Sequence, residues 1–363
     1  MTMFEQLGES SHEQVVFFHD REINLRCIVA IHNTVLGPAF GGLRMWPYAS
    51  EAEALRDVLR LSRGMTYKAA LAGLNLGGGK AVLIGNPEKD KSEALLRALG
   101  RYIGSLGDRY ITAEDVGTTI DDMDLIRQET DRVVGMHGGA GDPSPFTALG
   151  TLHGIRACLQ RRFGHVELGR HSFAVQGVGG VGYHLVKLLR GEGAKVFVTD
   201  INQERVEQLV DEFRAESVPM HQIYDVEATV FSPCAMGGII NEDTVPRLRA
   251  KIVAGGANNQ LESNECGTQL EARGILYAPD YAINAGGLMN QAVELEGYNE
   301  ERARRMVATT YGIIGRIFET AEREKIPSWQ AADRLAERRI ESVGRIRLPY
   351  MQIHNPGQPR LPR

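Results

Sequence analysis

The stretch Val175-Gln176-Gly177-Val178-Gly179-Gly180-Val181-Gly182 decides how the rest of the chain is read. It contains a full G-x-G-x-x-G. Glycine is abundant here, at 41 of 363 residues, so the spacing alone is weak. Its setting makes it strong. The apolar run SFAVQ (172–176) reads as a strand before it, YHLVKLLRGEG (183–193) as an amphipathic helix after it, and KVFVTD (195–200) as the next strand. In such a βαβ unit Gly177 permits the tight turn, Gly179 lets backbone approach a pyrophosphate, and Gly182 lets the helix pack on the strand. Val178, Gly180 and Val181 complete the turn. The N–H groups and dipole of the helix N-terminus favour phosphate there. Asp200, about 20 residues on, can accept hydrogen bonds from both ribose hydroxyls and would repel a 2′-phosphate. The expected cofactor is NAD rather than NADP.

Working outward, apolar strands recur at ATVFSPCA (228–235), KIVAGGAN (251–258) and ILYAPD (275–280). Two long helices follow, from about Asn299 to Lys325 and from Ser328 to about Ser342. Upstream, GMHGGAGDPSP (135–145) is the most glycine-dense connector and suits a hinge between domains. Ser144 and Pro145 fit the N-cap and first position of a helix reaching Arg162.

The first part of the chain has its own alternation. EQVVFFHD (13–20) and LRCIVAIHN (25–33) read as strands. Ser50 and Glu53 form a capping-box signature ahead of a helix whose Leu55, Val58, Leu59 and Ser62 share one face. The glycine-rich NLGGGK (75–80) leads into the strand AVLIG (81–85). A helix through Leu95, Leu99 and Ile103 precedes the strand RYITAED (109–115).

The expected fold is α/β with two domains and a cleft between them. Residues 1–140 form an α/β substrate-binding and catalytic domain, joined by C-terminal residues from about 328–363. Residues 141–327 form the Rossmann-type NAD-binding domain. The tail RIRLPYMQIHNPGQPRLPR (345–363) reads as extended along another subunit or disordered.

Composition excludes several classes. With 43% hydrophobic and 24% charged residues the chain is an ordinary globular protein. A net charge of -5 gives no basic surface for nucleic acid. No apolar stretch approaches the roughly 20 residues that span a bilayer, and MTMFEQLGESSHEQ has no signal-peptide pattern. The cytoplasm is the expected location. Cys27, Cys158, Cys234 and Cys266 are scattered, which suits reduced, mostly buried thiols. The histidines show no ligand spacing, so no metal is expected.

Two lysines keep unusual company. Lys68 ends an otherwise apolar helix face, and Lys80 stands at the root of an apolar strand. A charge there is costly unless partnered, and desolvation would lower its pKa toward that of a general base. The pattern alone leaves Lys80 open between that role and an ordinary surface cation. Asp115 ends a strand, where α/β sheets bind ligands, although a loop-capping aspartate is the simpler reading of the pattern.

Here the sequence resembles the glutamate/leucine/phenylalanine/valine dehydrogenase family, and most closely its leucine branch. The matching stretches are LGPAFGGLRMWPY (36–48), LSRGMTYKAALAGLNLGGGKAVLIGNP (61–87), RYITAEDVGTTIDDMD (109–124), the glycine turn, SPCAMGG (232–238), AGGANNQL (254–261) and YAPDYAINAGG (277–287). The resemblance implies that Lys68 binds the substrate α-carboxylate with Gly41 and Gly42 close by. It implies that Lys80 is the catalytic lysine and that Asp115 handles protons on the amino group. Asn258 and Asn284 would lie near nicotinamide and substrate, with Ala257 beside the cofactor. Phe40, Met65, Ala113, Leu288 and Gln291 would line the side-chain pocket.

The implied reaction is reversible oxidative deamination of an amino acid to a 2-oxo acid and ammonia. Hydride leaves the α-carbon, neutral Lys80 activates water against the iminium, and Asp115 shuttles protons as ammonia departs. The glutamate enzymes carry a lysine where this chain has Phe40, so an apolar substrate is expected. Leucine or another branched-chain amino acid comes first. Phe40 and Gln291 both depart from the leucine pattern and keep phenylalanine, tryptophan or a polar relative open. The family forms homo-oligomers, octamers or dimers. A non-catalytic dinucleotide-binding protein would have no need of Lys68, Lys80 and Asp115. A 2-hydroxy-acid dehydrogenase would bring a histidine base that no motif here supplies.

Overall fold

The structure is a computed structural model describing residues 11–345. Its twelve strands are β1 Gln14–Asp20, β2 Leu25–Asn33, β3 Ala39–Phe40, β4 Leu43–Trp46, β5 Gly77–Ile84, β6 Tyr110–Ile111, β7 Ser172–Gln176, β8 Lys195–Thr199, β9 Glu216–Ser217, β10 Val230–Pro233, β11 Ile252–Val253 and β12 Leu276–Tyr277. The α-helices are α1 Glu51–Leu71, α2 Glu93–Ser105, α3 Ile120–Arg127, α4 Ser144–Phe163, α5 Gly180–Gly191, α6 Gln203–Phe213, α7 Asn264–Ala272, α8 Asp280–Ile283, α9 Gly286–Glu294, α10 Glu300–Ala308, α11 Thr310–Glu324 and α12 Ser328–Gly344.

The strands form two six-stranded sheets. The first is mixed, in the order β1-β2-β5-β3-β6 with β4 also on β5; β1, β2 and β5 pair antiparallel and the rest parallel. The second is wholly parallel, in the order β12-β11-β10-β7-β8-β9. That is the doubly wound order, and its direction reverses between β7 and β10, where such sheets take ligands. The turn after β7 is the one that carries Gly177–Gly182.

Several boundaries differ from the sequence expectation. The three glycines before Lys80 are not a lead-in turn but the first residues of β5, buried throughout. The strand expected at 109–115 shrinks to Tyr110–Ile111, with single bridges Thr112↔Val133 and Leu43↔Glu114 beyond it. Ser144 is not the cap of α4: the helix begins at Ser144, Pro143 holds the cap position without a side-chain bond, and Asp142 accepts from Ser144 N at 2.8 Å. The helix expected from Asn299 to Lys325 is two helices, broken at Thr309, whose hydroxyl turns back to the Met306 carbonyl. Ser50 caps α1 as expected, yet Glu53 reaches the Ala49 N–H rather than that of Ser50. The tail beyond residue 345 lies outside the described residues.

The connector 135–143 is anchored at several points. Glu294 accepts from Gly135 N and Ala140 N at 2.9 and 2.8 Å, and Asn290 donates to the Ala140 carbonyl. α12 packs on α1 and α11. The Arg339 guanidinium donates to the carbonyls of Ala69, Ala70 and Leu74, closing the end of α1, and Glu337 accepts from Tyr67. Asp333, one turn earlier, accepts from Tyr281 on α8. The last described helix therefore ties α1 to α8.

Candidate active site

A cleft of about 260 Å³ opens between the two sheets. Its lining contains Phe40, Gly42, Met65, Lys68, Lys80, Asp115, Val181, Asn258, Asn284, Leu288 and Gln291. Positions that the sequence placed in six separate stretches thus meet around one space.

The first sheet supplies the charged wall. Lys80 follows Gly79 in β5 and is 5% exposed. The close packing beneath it explains the glycines: a Cβ on Gly78 would lie 2.1 Å from the Thr66 amide nitrogen, and one on Gly79 would strike the Tyr110 ring. Lys80 Nζ lies 2.8 Å from Asp115 Oδ2. The same oxygen accepts from Arg44 Nε at 3.0 Å, and Arg44 Nη1 reaches Asp57 at 2.9 Å. Tyr48 donates to Asp57 at 2.7 Å. Asp115 is therefore an ion-paired carboxylate rather than a loop cap. A Cβ on Gly42 would lie 2.9 Å from that of Asp115, so glycine lets the carboxylate approach.

Electrostatics follow from that geometry. Desolvation lowers the Lys80 pKa, Asp115 opposes the shift, and Arg44 reinforces it. Burial alone would raise the Asp115 pKa, but Lys80 and Arg44 outweigh it and hold the carboxyl below its ordinary value. Lys68, in the last turn of α1, keeps part of its stem open to the cleft. Crowding around its amine nevertheless lowers its pKa to about 8, against the pull of Asp280. Lys68 donates to Asn258 Oδ1 at 3.1 Å, and Asn284 Nδ2 donates to the same atom at 2.7 Å. Asn284 Oδ1 is buried without a partner. Two amines of weakened charge on one wall, with a fixed carboxylate between lysine and arginine, can receive a carboxylate and accept a proton.

Gly41 and Ala113 do not line the cleft. Gly41, just after β3, packs against β5, where a Cβ would lie 1.8 Å from the Gly79 carbonyl oxygen, and Ala113 is in the core at 1% exposure. Ala257 acts through its backbone, its carbonyl accepting from Asn284 and Gln260.

The rest of the glycine turn forms an adjoining cradle that meets the cleft at Val181. Gly177 has φ +90°, a left-handed conformation, with Ala235 close behind it. A Cβ on Gly182 would lie 2.0 Å from the Gly177 carbonyl oxygen, so the helix approaches its own turn closely. Gly179 differs: the nearest atom to a Cβ there is the tip of Arg205 at 3.6 Å. Its side faces open space. α5 starts at Gly180 with no side-chain cap, leaving its first N–H groups free for an anion. Asp200 follows β8, accepting from Val178 N at 2.7 Å and Asn202 N at 2.9 Å. An open Gly179 over an uncapped helix, with a carboxylate at the end of the next strand, fits a dinucleotide.

Among the residues that sequence reasoning passed over are Arg44, Glu114 and Asp280 in the cleft lining and Asp57 behind Arg44. Arg44 could have been found by alternation, since Leu43 and Met45 bury and Arg44 points the other way. Asp280 ends the apolar run ILYAPD (275–280), the same signal that singled out Asp115, and in the structure it opens α8 three residues past β12. Asp280 accepts from the amides of Gln260 and Tyr281. Glu114 lines the cleft with its pKa raised to about 7 by desolvation and by Asp142 and Asp115 nearby. No periodicity marks Asp57, because its role depends on Arg44 and Tyr48 reaching it from another element.

Residues 12–132 match the dimerisation domain of Glu/Leu/Phe/Val dehydrogenases, and residues 138–345 match the Glutamate/Leucine/Phenylalanine/Valine dehydrogenase domain. The leucine dehydrogenase of Geobacillus stearothermophilus is 54% identical over 355 residues, covering 97% of each chain. The phenylalanine dehydrogenase of Bacillus thermotolerans is 48% identical, covering 95% of this chain and 92% of its own. The crystal structure of the L-tryptophan dehydrogenase from Nostoc punctiforme superimposes with a TM-score of 0.83 at 45% identity, covering 94% of this chain and 100% of its own. Among the described residues, no helix is long and apolar enough to cross a membrane.

Proposed function

The chain belongs to the glutamate/leucine/phenylalanine/valine dehydrogenase family, and from that premise we propose that it catalyses reversible, NAD-dependent oxidative deamination of an apolar L-amino acid. It is an amino-acid dehydrogenase using a nicotinamide dinucleotide. Leucine or another branched-chain amino acid is the proposed substrate. The observation that carries the reading is the meeting of Lys68, Lys80 and Asp115 on one wall of a cleft that adjoins the glycine cradle.

Each group has work that its surroundings suit. Bound at the cradle, the dinucleotide supplies the acceptor for hydride from the substrate α-carbon. Protonated Lys68 pairs with the substrate carboxylate, and Asn284 faces the same end of the cleft. Lys80, its pKa lowered by burial, is neutral often enough to take a proton from attacking water. Asp115 exchanges that proton with the departing nitrogen. Arg44 holds the Asp115 carboxylate in place and is a positioning residue. Phe40, Met65 and Leu288 receive the substrate side chain, where burying a leucine-sized group contributes about 2 kcal/mol.

Asp200 supports NAD over NADP, since its carboxylate would repel a 2′-phosphate. Residues 1–140 with 328–363 are proposed as the catalytic domain and 141–327 as the dinucleotide domain, acting as a homo-oligomer in the cytoplasm. A panel of L-amino acids with NAD and with NADP, followed at 340 nm, tests this reading. Reduction of NAD with an aliphatic amino acid is expected; no reduction of either cofactor by any amino acid refutes it. Preference for NADP would refute the role of Asp200.

A further inference from the structure

The walls of the substrate cleft are not uniformly apolar. Gln291 is 6% exposed and lines the cleft beside Phe40, Met65 and Leu288. Three polar side chains project from α9, and two are fully engaged. Asn290 donates to the Ala140 carbonyl and accepts from Tyr298, while Glu294 accepts from two amides of the connector. The side-chain amide of Gln291 makes no hydrogen bond within the described residues. Its Nε2 lies 3.2 Å from where a Cβ on Gly135 would stand, and Gly135 has φ +81°. The connector thus leaves room for the amide at a position that a side chain would strain.

Place along the cleft follows from the helices. Asn284 marks the end where Lys68 and Asn258 gather. Gln291 stands in α9, beyond the turn at Asn284 and Ala285 that separates it from α8, and lines the cleft with Phe40, Met65 and Leu288, the residues proposed to receive the side chain. In the empty cleft, water can satisfy its amide. An apolar substrate side chain removes that water and leaves the amide unpaired, which weakens binding on the order of 10- to 100-fold. A side chain carrying one neutral hydrogen-bonding group restores the partner and avoids the loss.

Resting on the amino-acid dehydrogenase reading, we infer that Gln291 widens the cleft's range beyond the branched-chain amino acids, which it still accepts, by favouring L-amino acids whose mainly apolar side chain carries one neutral hydrogen-bonding group. The nearby cations lie at the carboxylate end, so a charged side chain is not favoured there.

Matched substrates test this directly. Norleucine is compared with its ether isostere O-methylhomoserine, and tryptophan with the benzothienyl analogue lacking the indole N–H. Each is measured with NAD against wild type and Gln291→Leu. A compound that is not turned over is scored by its inhibition of leucine oxidation. The expected result is a polar-to-apolar ratio of kcat/KM, or of inhibition constants, that falls at least tenfold in Gln291→Leu for one pair. Gln291→Glu should keep more of it for the tryptophan pair, because a carboxylate accepts from the indole N–H, and not for the ether pair, to which it has no donor to offer. Leucine kcat/KM should rise about tenfold in Gln291→Leu. Ratios unchanged within twofold for both pairs, in a variant that melts and binds NAD like wild type, overturn the inference. Absence of any amino-acid oxidation by wild type would refute the function itself, and this inference with it.

Discussion

Two glycine-rich stretches stand almost a hundred residues apart, and they are glycine-rich for opposite reasons. Gly77–Gly79 lie within a fully buried strand, and every Cβ added there would meet protein: the Asn33 carbonyl, the Thr66 backbone or the Tyr110 ring. Their role is to let α1 and β6 close on the strand that carries Lys80. In the second stretch Gly177 and Gly182 are also hemmed in, but Gly179 faces open space. On the proposed function, what excludes a side chain at Gly179 is the dinucleotide, not the protein. Counting glycines cannot separate these cases; asking what a Cβ would touch can.

The comparison makes ordered predictions. The largest effect belongs to the residue the first stretch presents. Lys80→Ala should lower kcat about 10²- to 10⁴-fold while NAD affinity, measured by fluorescence titration, stays within twofold. Retained turnover would remove Lys80 from the chemistry and leave the first stretch purely structural.

Next is the stretch itself. Gly78→Ala places a Cβ 2.1 Å from Thr66 N and Oγ1, where backbone must give way. A loss of about 3 kcal/mol, or roughly 10 °C in Tm by calorimetry, is expected. Gly179→Ala is its counterpart. Its Tm should stay within about 2 °C of wild type, because a methyl fits the open side, while the NAD dissociation constant rises roughly tenfold. A destabilised Gly179→Ala with normal NAD binding would erase the distinction between the stretches.

The smallest effect is on pH. With Lys80 as the proposed base, the rising acid limb of kcat/KM should report its deprotonation. Arg44 lowers the Lys80 pKa, so Arg44→Met should raise it and move that limb to higher pH. A limb that moves to lower pH, or stays, would show that another group governs it.

Much of this was legible in the residues. The βαβ unit around Gly177 was readable because strand, turn and helix are contiguous, and β2 begins and ends where LRCIVAIHN suggested. The family resemblance, borne out by the relatives, converted Lys80 and Asp115 from open readings into a mechanism. What escaped was assembled across elements. Arg44 finds Asp115 71 residues away, and Lys68 finds Asn258 190 residues away. The break at Thr309 escaped because the apolar spacing runs on through both helices. The strand at 109–115 was read too long because its ladder ends at Ile111 and goes on only as single bridges from Thr112 to Val133 and from Glu114 to Leu43, a change of partner that no local propensity records.

The last described helix has a consequence for how the protein is made. Arg339 closes the end of α1 one residue beyond the turn that holds Lys68, and Glu337 holds Tyr67 beside it. On the ribosome, α1 leaves the exit tunnel long before α12 exists. At about 5–20 residues per second, the intervening chain takes on the order of tens of seconds to synthesise. Throughout that interval the nascent substrate wall lacks its clasp. The dinucleotide unit, local in sequence, can close first, and the wall that bears the lysines is completed only after nearly the whole chain has emerged.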